Sequence, residues 1–114
     1  MKNKNSKNQN YLECKPKRND MYAWSVDNGI VTIEIENRGL LKKITQVLFK
    51  KPKISYIHLD DMGSFIWPII DGEKDVIEIG KEVKEKFGEG AEPLYERLAK
   101  YFQILDSYGF IKWN

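Results

Sequence analysis

Trp67-Pro68, Asp71-Gly72, Phe87-Gly88 and Gly109 break the stretch from Leu59 to Trp113 into short segments that no single helix or strand can cross. Segments this short cannot hide their own apolar faces, so they must pack on one another. Asp60 or Asp61 is placed to accept the free N–H groups of a helix through Phe65, Ile66 and Trp67, which Pro68 kinks or ends. Asp75 and Glu78 form a capping-box pair, after which Val76, Ile79, Val83 and Phe87 share one helical face up to Gly88. Glu92, with Pro93 at the expected first helical position, opens a third helix that Gly109 closes. Phe110, Ile111 and Trp113 then read as a short strand or extended segment folded back on the core.

The first half has a different grammar. Residues 1–20 are rich in Lys and Asn with few apolar groups, which predicts a flexible tail ahead of a single domain over 21–114. Trp24 to Val26 and Val31 to Ile35 alternate apolar with polar around Asp27-Asn28-Gly29, the signature of a β-hairpin with Trp24, Val26, Val31, Ile33 and Ile35 inward. Leu40, Leu41, Ile44, Val47 and Leu48 recur at helical spacing until Lys50-Lys51-Pro52 ends the run. Ile54 to Leu59 forms a third strand that is apolar on both faces. The expected fold is therefore α+β: a small antiparallel sheet followed by a three-helix bundle, with an extra helix between strands two and three.

Of 114 residues, 41% are hydrophobic, 12% aromatic and 32% charged, enough for a core beneath a well-solvated exterior. Cys14 is the only cysteine, which excludes an intrachain disulfide. No apolar run approaches the roughly 18 residues of a membrane helix, so a cytoplasmic protein without a membrane partner is expected. Residues 1–59 carry 12 Lys or Arg against 5 Asp or Glu, a balance of +7, whereas residues 60–114 carry 7 against 12, a balance of −5. Arg38, Lys42, Lys43, Lys50, Lys51 and Lys53 concentrate the positive charge on what is either a solvated helix face or a surface for an anionic partner.

In the third helix Leu94, Tyr95, Leu98, Tyr101, Phe102, Ile104, Leu105 and Tyr108 cover about 180° of the circumference, against a little over 100° for an ordinary core stripe. Either both edges of the stripe are used internally, or one edge, Tyr95 with Phe102 or Ile104 with Tyr108, lines a groove for an apolar partner residue. A catalytic constellation is not legible. His58 is the only histidine, Cys14 has no base beside it, and the glycines form no phosphate-cradling loop. Asp60, Asp61, Asp71, Glu73 and Asp75 fit helix caps and a turn and lack the spacing of a calcium loop. The expectation is a non-enzyme with neither cofactor nor metal.

The run Leu59-Asp60-Asp61-Met62-Gly63-Ser64-Phe65-Ile66-Trp67, followed by Ile70-Asp71-Gly72, Ile79, Phe87-Gly88, Leu98, Leu105 and Gly109-Phe110-Ile111, resembles the PqqD family. The resemblance implies a winged helix-turn-helix whose members recognise precursor peptides that are later modified. In the original case the partner is a radical S-adenosylmethionine enzyme of pyrroloquinoline quinone biosynthesis. It implies a peptide chaperone, in which the leader of a ribosomally made precursor adds to the edge of the third strand and rests against the third helix. By position those residues are Lys53, Ser55, Ile57 and Leu59 on the strand, and Tyr95, Leu98, Lys100 and Phe102 on the helix. Two departures stand out: Asp60 replaces the usual Asn, and the helix over 40–49 replaces a short connection.

Winged helices also read DNA, which makes a nucleic-acid-binding protein acting through its basic N-terminal half the alternative. From Glu92 to Tyr108, however, Arg97 and Lys100 stand against Glu92, Glu96 and Asp106, a balance of −1 that suits phosphate poorly. Neither the peptide, the modifying enzyme nor the oligomeric state is written in the sequence.

Overall fold

Along the described residues, 11–36 and 54–114, the computed structural model runs β1 (Pro16–Arg18), β2 (Trp24–Asp27), β3 (Ile30–Glu36), β4 (Ile54–His58), α1 (Asp61–Ile66), α2 (Val76–Phe87), α3 (Leu94–Ser107) and β5 (Ile111–Trp113). It is an α+β arrangement of two small antiparallel sheets and three helices among those residues. The expected helix over 40–49, Lys53 and the first half of the expected tail lie outside the described residues.

β2, β3 and β4 form one sheet in that order, with Trp24 opposite Ile33 and Ile33 opposite Ile57. The hairpin turn follows from its two residues: Asn28 and Gly29 take φ of 54° and 79°, the left-handed backbone that matches the twist of the flanking strands. Val31 and Ile33 are fully buried on the inward face. Val26, expected to be inward, is 52% exposed. It sits on the outer strand at the hairpin tip, whereas its neighbour Val31 lies against α1, donating its backbone N–H to Ser64 Oγ at 2.8 Å.

The second sheet corrects the reading of residues 11–20 as tail. β1 pairs with β5, Pro16 opposite Trp113 and Arg18 opposite Ile111, and Pro16 is buried. One nitrogen of the Arg18 guanidinium donates to the carbonyl oxygens of Trp67, Pro68 and Ile70 at 3.1, 2.9 and 2.9 Å. The same group lies 5.2 Å from the centroid of Trp24. Hydropathy misses such a segment because backbone pairing and one polar side chain, rather than apolar bulk, tie it down.

Helix boundaries follow the capping chemistry. Asp60 Oδ1 accepts from Gly63 N at 2.8 Å to start α1, and Pro68 ends it, the chain tightening into a 3₁₀ turn over Trp67–Ile69. Asp75 accepts from Glu78 N at 2.8 Å while Glu78 accepts from Asp75 N at 2.9 Å, completing the capping box of α2. Gly88 ends α2 at φ 59°. Pro93 stands one place earlier than expected, at the N-cap of α3, with Leu94 N donating to Glu92 Oε1 at 3.1 Å. Trp67, Ile66, Leu98, Phe102 and Phe110 fill the space among the helices, and the inward face of β3 closes it.

Candidate functional site

Strand β4 borders β3 on one side, and no described strand borders it on the other. Which of its backbone groups face that other side can be worked out from the register. Leu59 N donates to Val31 O at 2.9 Å, so residues 59, 57 and 55 turn their amides toward β3. Ile54, Tyr56 and His58 oppose Glu36, Glu34 and Thr32 as non-bonded pairs and turn their N–H and C=O groups outward. The same parity holds one strand further in, where Glu34 N donates to Ala23 O at 2.9 Å.

The side chains alternate in the opposite sense. Ser55, Ile57 and Leu59 are half-buried on the inward face, while Ile54 and Tyr56 are 39% and 57% exposed on the other. His58 also faces outward, its Nδ1 2.8 Å from Thr32 Oγ1. The strand is thus apolar on both faces, as expected from its sequence.

Helix α3 approaches the end of this strand through Tyr101. Its hydroxyl donates to Gly63 O at 2.9 Å, and its ring lies so near α1 that a Cβ at Gly63 would stand 3.0 Å from Tyr101 Cε1 and 3.3 Å from Leu59 Cβ. Glycine is needed here for close approach. Burial pushes the Tyr101 phenol well above its usual range, and the Asp60 carboxylate adds to the effect. At about 100° per residue Arg97, Ile104 and Tyr108 lie within about 60° of Tyr101 on one flank of the helix, Lys100 follows at about 100° with Glu96 one turn before it, and Asp106 lies on the other flank. Ile104 and Tyr108 are 47% and 58% exposed, and Tyr108 stacks on Phe110 with centroids 5.3 Å apart. Ile104 with Tyr108, rather than Tyr95 with Phe102, is the exposed edge of the wide stripe on the Tyr101 flank.

The helix residues assigned from the resemblance therefore divide three ways. Leu98 and Phe102 are completely buried, a correction to their placement on an open face: they point between the other helices and β5, where Phe102 meets Trp113 edge-on at 5.9 Å. Tyr95 is exposed but on the opposite flank, against Gly80, where it lines a separate groove of about 670 Å³ with Lys81 and Pro93. Lys100 is exposed beyond the Tyr101 flank. Ile104 and Tyr108 are the exposed part of the stripe, the surplus that its excess width signalled.

The remaining polar groups are structural. Among the described residues no three His, Cys, Asp or Glu side chains cluster as metal ligands would. Asp60 and Asp75 cap helices, and Asp71 accepts from Glu73 N and Lys74 N at 2.9 and 3.1 Å, bonds that hold its carboxyl below the usual carboxylate range. Desolvation raises the Cys14 thiol, with the Glu13 carboxylate adding to the effect, which is the opposite of an activated nucleophile. Among the described residues no helix is long and apolar enough to cross a membrane.

No curated protein and no solved structure matches this chain. One family does, over residues 45–111, a span that contains β4, all three helices and the Phe110-Ile111 return. With more than half of its length matched, the chain belongs to the family described as coenzyme PQQ synthesis protein D, PqqD.

Proposed function

We propose that this chain is a non-catalytic peptide-recognition protein that binds the leader of a ribosomally made precursor peptide and presents it to a modifying enzyme of the radical S-adenosylmethionine type. The observation that carries this reading is the outward row of backbone groups at Ile54, Tyr56 and His58, which no described strand pairs. An extended guest satisfies such a row whatever its sequence, and its alternate side chains then meet Ser55, Ile57 and Leu59 on one face. Selectivity falls to those pockets and to the helix wall. Family membership supports the reading independently. The three helices followed by β5 fit a winged helix-turn-helix, used here as a scaffold for peptide rather than for DNA.

Arg97, with Lys100 beyond it, places positive charge on the guest's side of α3, which speeds encounter with acidic leaders more than it tightens the complex. Direct titration tests the proposal. Peptides made from short open reading frames in the same gene neighbourhood are added to the full chain and followed by tyrosine and tryptophan fluorescence. A cognate leader saturates the signal with 1:1 stoichiometry and little dependence on salt. Binding of duplex DNA with a steep salt slope, and of no peptide, contradicts the proposal.

A further inference from the structure

We infer that the flank of α3 turned away from Tyr101 carries a second site, a groove for an arginine side chain of the modifying enzyme. The groove measures about 720 Å³ and lies where Tyr11–Glu13 and β5 meet the helix. Tyr11 and Trp113 stand half-buried in its wall, their rings inclined at 61° with centroids 6.0 Å apart, and the buried ring of Phe102 closes the floor. Asp106 is exposed on the rim. Burial raises both the Tyr11 phenol and the Cys14 thiol, which keeps them neutral and leaves Asp106 as the formal charge of the lining.

The charge pattern selects the occupant. No Lys or Arg lines the groove, and among the described residues no cationic side chain forms an ion pair with Asp106. An anion is repelled there, and a purely apolar side chain covers the carboxylate without satisfying it. A cation on an alkyl stem meets both demands, since aromatic rings and a carboxylate each attract it. Arginine fits better than lysine, because its planar guanidinium stacks on a ring while bonding a carboxylate through two donors. Asp106 also lies in the last turn of α3, where the helix dipole disfavours negative charge. Helix stability therefore does not account for it.

The chain does not readily fill the groove itself. Arg18 is spent on three carbonyls, Arg97 donates to Gly90 O at 2.7 Å, and the ten residues ahead of Tyr11 contain three Lys but no Arg. Asp106 stands about 140° around α3 from Tyr101, so a leader along β4 leaves the groove open to a second polypeptide. Presentation requires such a double hold. Naming the enzyme as the source of the arginine rests on the peptide reading; the groove rests on its lining.

The probe is N-acetyl-arginine amide, added to the full chain and followed by NMR at the indole N–H of Trp113, with N-acetyl-norleucine amide as the apolar control. The arginine amide should shift that signal saturably at millimolar concentration and the control should not. Asp106→Asn should abolish the shift while leaving the urea midpoint no lower. The same variant should bind the modifying enzyme encoded beside this chain about tenfold more weakly, with leader affinity unchanged. An arginine amide that leaves Trp113 unmoved, or moves it equally in Asp106→Asn, overturns the site. Enzyme binding indifferent to Asp106→Asn overturns the enzyme as the arginine's source. A response that appears only after Lys7→Ala gives the groove to the chain's own tail and overturns the partner as well. Leader that fails to bind, with enzyme affinity still dependent on Asp106, refutes peptide recognition and leaves this site standing.

Discussion

The two sheets described in this molecule treat their backbones in opposite ways. β1 is engaged on both sides: β5 pairs with one, and on the other Gly72 N donates to Pro16 O at 2.9 Å beside a Lys17–Asp71 bridge. Asn114 extends the pairing, its N donating to Lys15 O at 2.8 Å and its Nδ2 to Gly72 O at 2.9 Å. β4 is paired by β3 alone among the described residues. The lesson is that strand formation does not by itself create a recognition edge; the edge exists where the fold supplies one neighbour and stops. Among the described residues, β1 is bonded on both sides and β4 on one.

The sharpest way to break that division is to cut into the interior on which both sheets rest. Phe102→Ala removes a completely buried ring and is expected to cost about 3–5 kcal/mol, read as a fall in the urea midpoint. A Phe102→Ala protein that keeps its stability but loses peptide would return this residue to the binding surface. Arg18→Ala removes a charged donor from three carbonyls, of which Trp67 O keeps Ile70 N, and should cost roughly 2–3 kcal/mol, loosening the β1–β5 sheet while leaving β4 intact. Asp75→Ala, which removes one side of the capping box, should cost about 1 kcal/mol. Ile104→Ala is the complement of Phe102→Ala. Its stability should change by no more than about 0.5 kcal/mol, whereas leader affinity should fall roughly five- to tenfold.

The segment leading into β1 also has a pH signature. Tyr11, whose hydroxyl donates to Leu98 O at 3.3 Å, is pushed up to about 12 by burial and by the nearby Cys14. The unfolded phenol ionises near 10, so the unfolded state loses its proton first. The contribution is complete below about pH 10 and is lost as pH rises through 12. Tyr11→Phe should remove part of that alkaline decline, and Tyr101, shifted in the same direction, should account for more of it.

Much of the helical half was legible because its signals are local. Asp60, Asp75, Glu78, Pro68 and Gly88 each act within one turn of chain, and each does what its chemistry implies. The Asn28-Gly29 turn belongs to the same class. The family was legible from its motif, and the match over residues 45–111 bears it out. What the sequence concealed was long-range. That Pro16–Arg18 pairs with Ile111–Trp113 depends on two chain ends meeting, which no window of sequence contains. The helix stripe showed that α3 has more apolar surface than its core contact uses, but not which edge is surplus. The family resemblance implies Leu98 and Phe102 as guest-facing, whereas both are buried and Ile104 and Tyr108 lie outside.

Hydrogen exchange at single amides of β4 tests the central claim most directly. In the free chain the amides of Ser55, Ile57 and Leu59, bonded to β3, should exchange slowly and those of Ile54, Tyr56 and His58 fast, and leader peptide should slow the fast set. Protection of Ile54, Tyr56 and His58 before any peptide is added, or no change in them on saturation with a peptide that binds, would contradict strand addition at this edge.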